Sequence, residues 1–230
     1  PSPSQDVTDE AAMPAAMQEK SDETGTASKA AAVMVEPDKK AEVDLQGPAP
    51  VSLVFQWPEE VGAAAFRRGN NVWIVFDRRA PINLVPLRQQ GEPLIERIDQ
   101  LEVAGSTVLR LRTRPGVNPF AKRDGYDWVF DFRKAPIAPH HQILIQAQAD
   151  ATVGPQLLFP VAEPGSIINL YDPDVGDTLR IATYKDPGYG VTGERTYPEF
   201  AILPSAQGLV IQTLSDKVLF DRDLNGFELS

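Results

Sequence analysis

The chain contains no cysteine, and this absence excludes disulfide bonds, thiolate metal sites and a cysteine nucleophile. Histidine is scarce as well, with two residues among 230. No apolar run reaches the length of a transmembrane helix, so no membrane span is expected. The chain starts at Pro1 without a methionine or a signal peptide, which predicts a mature form or a fragment of a longer protein.

Aromatic residues are missing from the first fifty positions, which are rich in Ala, Pro, Ser, Thr and charged residues. Such a segment buries too little apolar surface to offset the entropic cost of ordering it. We therefore predict a disordered acidic arm over residues 1–49. An acidic Ala/Pro-rich spacer ahead of a β domain often follows a cleaved signal or an anchor. Together with the lack of cysteine, it predicts a periplasmic or otherwise extracytoplasmic location.

A positive charge balance is found only in the middle of the chain. The net charge is −6 for residues 1–50, +3 for residues 51–139 and −7 for residues 140–230, which gives −10 overall. An acidic chain with one mildly basic segment is a poor candidate for nucleic-acid binding, because phosphate neutralisation supplies most of that affinity. No nucleic-acid partner is expected.

The residues after the arm show the patterns of successive strands. Residues 51–57 alternate between the two faces and end at Pro58, which removes a ladder donor. Residues 72–77 are apolar on both faces, which predicts an interior strand covered on both sides. Asn83 is placed to cap a short helix over residues 84–90, and residues 94–103 fit either a strand or a short helix. We predict a β domain over residues 50–138.

This domain contains an internal duplication. The sequence Trp-Ile-Val-Phe-Asp-Arg-Arg-Ala-Pro-Ile from Trp73 returns as Trp-Val-Phe-Asp-Phe-Arg-Lys-Ala-Pro-Ile from Trp128. In this interpretation Asp77 and Asp131 are equivalent, each directly after an interior strand, which favours a structural role for both. Weaker echoes leave open whether residues 139–230, the predicted second β-rich domain, repeat the same module. The predicted fold is mainly β, with duplicated antiparallel β-sandwich-like modules after the disordered arm.

Two groups of residues have some features of metal ligands. His140 and His141 are adjacent, and on an extended segment they point to opposite sides, which favours a solvated linker. Asp221, Asp223 and Asn225 follow the order of an EF-hand loop and are a weak calcium candidate. The loop lacks flanking helices and the Glu of the twelfth position, so an acidic hairpin turn is favoured. We predict no metal and no cofactor.

Catalytic motifs are missing too: the chain has no Gly-x-Ser-x-Gly motif, P-loop or dinucleotide fingerprint. The glycine-rich residues 188–193 lack a strand-then-helix setting and are predicted to form a flexible loop. We expect a protein that is not an enzyme. A hydrolase with an unrecognised site is the weakest of three hypotheses.

Arginine and aromatic side chains remain as candidates for contact with a ligand or partner. One set alternates with inward-facing leucines on a single predicted strand and consists of Arg110, Arg112 and Arg114. The other set lies at a strand end and in loops, suits stacking on a sugar or a peptide, and consists of Trp57, Tyr189 and Tyr197.

The segment Phe-Arg-Arg-Gly from Phe66, followed by Trp-Ile-Val-Phe-Asp from Trp73, resembles the AMIN-like β modules of bacterial envelope proteins. It is most similar to the N-terminal β region of periplasmic tetratricopeptide-repeat proteins. No helical repeats follow, and residues 140–230 are not covered. The resemblance implies a periplasmic location and non-enzymatic binding to peptidoglycan or to an envelope assembly such as a pilus, a secretion system or a flagellar motor.

The leading hypothesis is an envelope scaffold or adaptor that holds a partner protein through sheet edges and arginine-lined faces. The alternative is a peptidoglycan- or glycan-binding β module that uses the aromatic side chains.

Overall fold

The computed structural model describes residues 51–148 and 156–230, and these residues belong to one compact unit. The predicted arm over residues 1–49 lies outside them. The described residues form nineteen strands and one helix, so the predicted mainly β fold is confirmed. In these two ranges, no helix has both the length and the apolar character needed to cross a bilayer.

The first nine elements are β1 (Val51–Phe55), β2 (Ala63–Arg68), β3 (Asn71–Phe76), α1 (Leu84–Gly91), β4 (Ile95–Val103), β5 (Ser106–Thr113), β6 (Val117–Asp124), β7 (Asp127–Lys134) and β8 (His141–Gln142). The next strands are β9 (Gln146–Gln148), β10 (Gln156–Pro160), β11 (Pro164–Asp172), β12 (Asp177–Tyr184), β13 (Tyr189–Gly190) and β14 (Arg195–Thr196). The last are β15 (Phe200–Leu203), β16 (Ser205–Gln207), β17 (Leu209–Thr213), β18 (Phe220–Asp223) and β19 (Gly226–Leu229).

Most strands belong to one ten-stranded sheet. Eight of them follow the order β14-β15-β17-β12-β2-β3-β5-β4, while β11 pairs with β12 and β16 pairs with β2. A three-stranded sheet has the order β1-β7-β6, and a four-stranded sheet has the order β18-β19-β10-β9. These pairings are antiparallel, and β8 and β13 form a separate parallel pair.

The three-stranded sheet covers one face of the large sheet. Inward-facing residues of β1 and β7 meet those of β3, and three phenylalanines mark the contact. The Phe55 ring lies 5.2 Å from Phe76 and 6.0 Å from Phe130 between centroids. The hairpins β2–β3 and β6–β7, the two copies predicted from the sequence, both contribute residues to this cluster.

The opposite face of β3 lies in a second cluster. Trp73 and Val75 are fully buried there with residues of β11, β12, β15 and β17. All described members of this cluster come from the large sheet itself. Since the face is nonetheless buried, the sheet must curl so that its own strands cover it. The prediction of an interior strand over residues 72–77 is confirmed, because residues 72–76 are all buried.

A third cluster lies under the four-stranded sheet. Phe159 and Phe227 from this sheet are buried against Tyr184 of β12 and Ile202 of β15. The large sheet therefore contributes to all three clusters.

The large sheet also crosses the predicted boundary between residues 138 and 139. Ala63 of β2 pairs with Tyr184 of β12, and Phe66 of β2 pairs with Ser205 of β16. The two predicted β domains thus share a sheet within one compact unit.

The predicted equivalence of Asp77 and Asp131 is wrong. Asp131 lies inside β7, which continues to Lys134, and its carboxylate accepts hydrogen bonds from Ser52 (2.6 Å) and Lys122. Asp77 follows β3 and binds backbone and hydroxyl groups of other segments. The two copies share a hairpin but not the position at which the second strand ends.

The structure also contains the predicted helix and assigns residues 94–103, whose pattern fitted either a strand or a helix. The Asn83 side chain accepts a hydrogen bond from the Val85 amide (3.2 Å), which confirms the predicted cap. The segment over residues 94–103, for which both a strand and a helix were open, forms strand β4.

Candidate functional site

Strand β4 is the terminal strand of the ten-stranded sheet, so only one of its edges is paired with another described strand. A two-residue turn joins β4 to β5 and makes Val103 and Ser106 a hydrogen-bonded pair. In an antiparallel ladder, hydrogen-bonded pairs alternate with non-hydrogen-bonded pairs. Ile98, Gln100 and Glu102 belong to the non-hydrogen-bonded pairs with β5, so their backbone N–H and C=O groups point to the free edge. Nine residues make this a long edge strand.

The N-terminal half of this edge is covered. Arg88 of α1 donates two hydrogen bonds to the Ile98 carbonyl, from Nη2 (2.9 Å) and from Nε (3.3 Å). Charged side chains over an edge are a common protection against unwanted strand pairing. Among the described residues, no comparable side chain bonds to the backbone of Gln100 or Glu102 on the outer side. The C-terminal half of the β4 edge is therefore open.

A groove of about 680 Å³ runs along this open half. We call it the edge groove, and its lining residues are Arg79, Ala80, Pro81, Gln100, Leu101, Glu102, Val103, Ala104 and Ser106.

Two polar side chains of the sheet fix the far wall of the edge groove. The Gln100 side chain accepts a hydrogen bond from the Ile82 amide (3.1 Å) and donates one to the Ala80 carbonyl (2.9 Å). The Thr107 hydroxyl accepts one from the Ala80 amide (2.8 Å) and donates one to the Arg78 carbonyl (2.7 Å). Both walls are therefore held in place before any ligand enters.

A second, smaller concavity of about 290 Å³ lies beside the edge groove. We call it the arginine pocket, and its lining residues are Asn71, Arg97, Asp99, Arg110, Arg112 and Asp174. Strand register brings them together, because Arg112 on β5 lies opposite Asn71 on β3 and opposite Arg97 on β4.

The charges in the arginine pocket are only partly paired. Arg97 binds Asp99 (2.7 Å), and Arg110 lies 3.4 Å from Asp174 and over the Trp73 ring, 5.8 Å from its centroid. Arg112 is exposed and forms no ion pair with any side chain that the structure describes. With three guanidinium groups and two carboxylates, the pocket carries a net charge of +1.

The predicted arginine face is assembled in part. Arg110 and Arg112 share the arginine pocket, as their alternation on one strand implied. Arg114 lies past the end of β5, where its backbone amide donates to the Leu94 carbonyl (3.0 Å), and its side chain is not part of the pocket.

The predicted aromatic platform is not assembled. Trp57 is 6% exposed, and its ring packs on Phe76 at 5.0 Å in the first core cluster, so it is a core residue. Tyr189 and Tyr197 are half-buried against the third cluster. The strand predicted over residues 51–57 ends at Phe55, before Pro58, and the β6–β7 hairpin returns next to Trp57. The Asp127 carboxylate accepts a hydrogen bond from the Trp57 backbone amide (3.2 Å).

The acidic turn belongs to a β-hairpin, and the histidine pair lies at the start of a short strand. Asp221 and Asp223 are exposed on the β18–β19 hairpin, and Asn225 lies in its turn. His141 belongs to β8, where its amide donates to the Gly188 carbonyl (2.9 Å). In the described ranges, no group of three or more His, Cys, Asp or Glu side chains is arranged to hold a metal ion.

Residues 188–191 of the glycine-rich segment are packed, which corrects the prediction of a flexible loop for them, while Thr192 and Gly193 are exposed. The Gln207 side chain is fully buried, accepts the Gly188 amide (2.6 Å) and donates to the carbonyls of Tyr184 and Asp186. A side chain at Gly190 would overlap the Ser205 carbonyl. Gly188 and Gly190 permit this close packing.

Most residues of the site were not predicted from the sequence, among them Arg88, Arg97, Asp99 and Gln100. The available signal was the Ala-Gly turn at 104–105, which with β5 predicts a hairpin and so selects the strand interpretation of residues 94–103.

Comparisons with protein-family models, with curated proteins and with solved structures give no match to this chain. The function is therefore inferred from the geometry of the edge groove and the arginine pocket.

Proposed function

We propose that this protein is a non-enzymatic scaffold or adaptor of the cell envelope that binds an extended segment of a partner protein along the open half of β4. The observation that carries this proposal is the coincidence of outward backbone groups at Gln100 and Glu102 with the edge groove beside them. A partner strand placed there gains main-chain hydrogen bonds to the sheet.

The shape of the edge groove favours an extended peptide over a compact ligand. One wall is a strand edge, which offers donors and acceptors at the regular spacing of a partner strand. Leu101 and Val103 on the same strand are partly buried against the second core cluster and supply apolar contact for alternate partner side chains. The Gln100 and Thr107 hydrogen bonds already fix the far wall of the groove. Binding therefore loses little conformational entropy in this protein.

The location and the class of partner rest on the sequence. The absence of cysteine, the acidic spacer composition and the resemblance to AMIN-like modules favour an extracytoplasmic protein that works with a pilus, secretion or flagellar-motor assembly. The alternative, a peptidoglycan-binding module, requires exposed aromatic rings. The burial of Trp57 removes one of the three residues on which that alternative depended.

Site-specific photo-crosslinking in an envelope protein extract tests the proposal. The full chain carries benzoylphenylalanine at position 102 in one sample and at position 224 in the control, since Leu224 is 92% exposed in the β18–β19 turn. We expect one protein to crosslink at position 102 only, through a single extended segment. Equal crosslinking at both positions would count against the edge groove.

A matched pair of substitutions separates backbone pairing from side-chain contact. Glu102→Pro removes an outward amide that the β4–β5 ladder does not use, whereas Glu102→Ala keeps it. We expect the proline variant to lose the crosslinked partner and the alanine variant to retain it. Retention on isolated peptidoglycan that soluble muropeptides compete away, without a protein partner, would instead establish the alternative.

A further inference from the structure

We propose that the partner segment presents an acidic side chain whose carboxylate enters the arginine pocket. This inference rests on the proposed binding at β4 and adds the chemistry by which the partner is recognised.

The arrangement of Arg97 and Arg112 is the first argument. They lie directly opposite each other on neighbouring antiparallel strands, where like charges destabilise the sheet. The only carboxylate paired with either of them in the described residues is Asp99, which binds Arg97. An anion between the two guanidinium groups would turn this repulsion into two charge-assisted hydrogen-bonding contacts.

The charge balance identifies the kind of anion. The pocket has a net charge of +1, which a single carboxylate neutralises. A phosphate group carries more negative charge and would be repelled by Asp99 and Asp174 on two sides of the same small space. Planar guanidinium groups also match the two oxygens of a carboxylate.

The position of the pocket connects it to the edge groove. Asp99 lines the pocket and Leu101 lines the groove, and these two residues lie two positions apart on β4, or roughly 7 Å along a strand. Their side chains point to the same face of the sheet. A chain bound along Gln100 and Glu102 would therefore carry a side chain on this face level with Asp99, next to the pocket, before it reaches the edge that Arg88 covers at Ile98.

The pocket is also held in shape before binding. Asn71 donates a hydrogen bond to Asp174 (2.9 Å), and Asp174 in turn lies within 3.4 Å of Arg110. The buried Trp73 ring supports the Arg110 guanidinium from below. Arg112 is the arginine of the pocket that has no carboxylate partner among the described residues, so its charge is available to a ligand.

Selection from a displayed library of random twelve-residue peptides tests the inference on the full-length protein. We expect the selected peptides to share one acidic position and to lose binding on the Glu102→Pro variant. Replacing that acid by its amide in a synthetic peptide should weaken binding about tenfold, as should Arg112→Gln in the protein. Both changes together should cost little more than either alone, because they remove the same contact.

Arg114→Gln is the matched control, because this arginine lies on the same segment outside the pocket. It should leave both the affinity and the acid preference unchanged. Peptides that require the free amide at 102 but show no acid preference would overturn the arginine-pocket inference and leave the proposed function standing. Failure to select any peptide sensitive to Glu102→Pro would overturn the proposed function itself. An equal loss on Arg114→Gln would show a general charge effect and would also overturn the inference.

Discussion

Thr183 donates a hydrogen bond of 2.9 Å to the carboxylate of Asp77, and this contact joins the end of β3 to β12. The same carboxylate accepts the Gly62 amide (2.8 Å) and the Ser166 amide (3.1 Å). At Gly165, an added Cβ would lie 2.7 Å from a carboxylate oxygen of Asp77, so glycine is needed for the close approach. One acidic side chain thus links four segments across the predicted domain boundary.

We predict that Asp77→Asn lowers the free energy of unfolding by about 1–3 kcal/mol, because an amide nitrogen cannot accept one of these hydrogen bonds. Urea denaturation should show one cooperative transition at a lower midpoint. Asp216→Asn is the control, since Asp216 is exposed. Equal stability of the two variants, or two separate transitions in the wild type, would show that Asp77 does not join the halves.

The ion pair between Arg68 and Asp177 predicts a pH dependence of stability. The hydrogen bond and positive charge of Arg68 hold the pKa of Asp177 below its ordinary value of 3.8. Gln212 also donates to this carboxylate (2.7 Å), and Asp172 lies 3.2 Å from Arg68. A carboxyl group whose pKa falls on folding stabilises the folded state above its unfolded pKa, and this stabilisation is lost as the pH falls through the folded pKa.

Asp177→Asn should therefore lower the free energy of unfolding by about 1–3 kcal/mol near pH 7. The difference from the wild type should shrink as the pH falls below about 4, and it should vanish only below the folded pKa of Asp177, where both proteins carry a neutral side chain at 177. Urea denaturation across this range measures it. A difference that stays constant with pH would show that the charge of Asp177 contributes nothing.

One packed and one exposed glycine predict a contrast between two substitutions only three residues apart. Gly190→Ala should cost about 3 kcal/mol, because its new methyl group would overlap the Ser205 carbonyl. Gly193→Ala meets no atom within 4 Å and should cost about 1 kcal/mol, owing to its φ of +75°. Thermal unfolding compares them directly. A smaller loss at 190 than at 193 would mean that the segment is free to move.

Local patterns determined much of the architecture. The run of apolar side chains after Asn71 could be assigned to an interior strand because only a strand covered on both faces accommodates it. The cap at Asn83 and the alternation of Leu53 and Phe55 were equally readable, since each depends on neighbours within a few residues.

The remaining features depend on contacts between distant parts of the chain. Trp57 borders a proline, and its burial depends on contacts with distant residues, including Phe76 of β3 and the β6–β7 hairpin. The pairing of β2 with β12 and β16 joins residues far apart in sequence. Hydrophobic periodicity identifies a strand but does not indicate which distant strand it pairs with. For the site, Arg110 and Arg112 could be found from their alternation, whereas their opposition to Arg97 required the register of β4.

Amide hydrogen exchange at the β4 edge shows whether a partner strand pairs with β4. In the free protein the amides of Gln100 and Glu102 should exchange quickly, while those of Leu101 and Val103 should be protected by their bonds to β5. Saturation with the crosslinked partner segment should slow exchange at Gln100 and Glu102 and leave Arg114 unchanged. If both edge amides still exchange quickly in the saturated complex, the partner does not pair with β4 and the account is wrong.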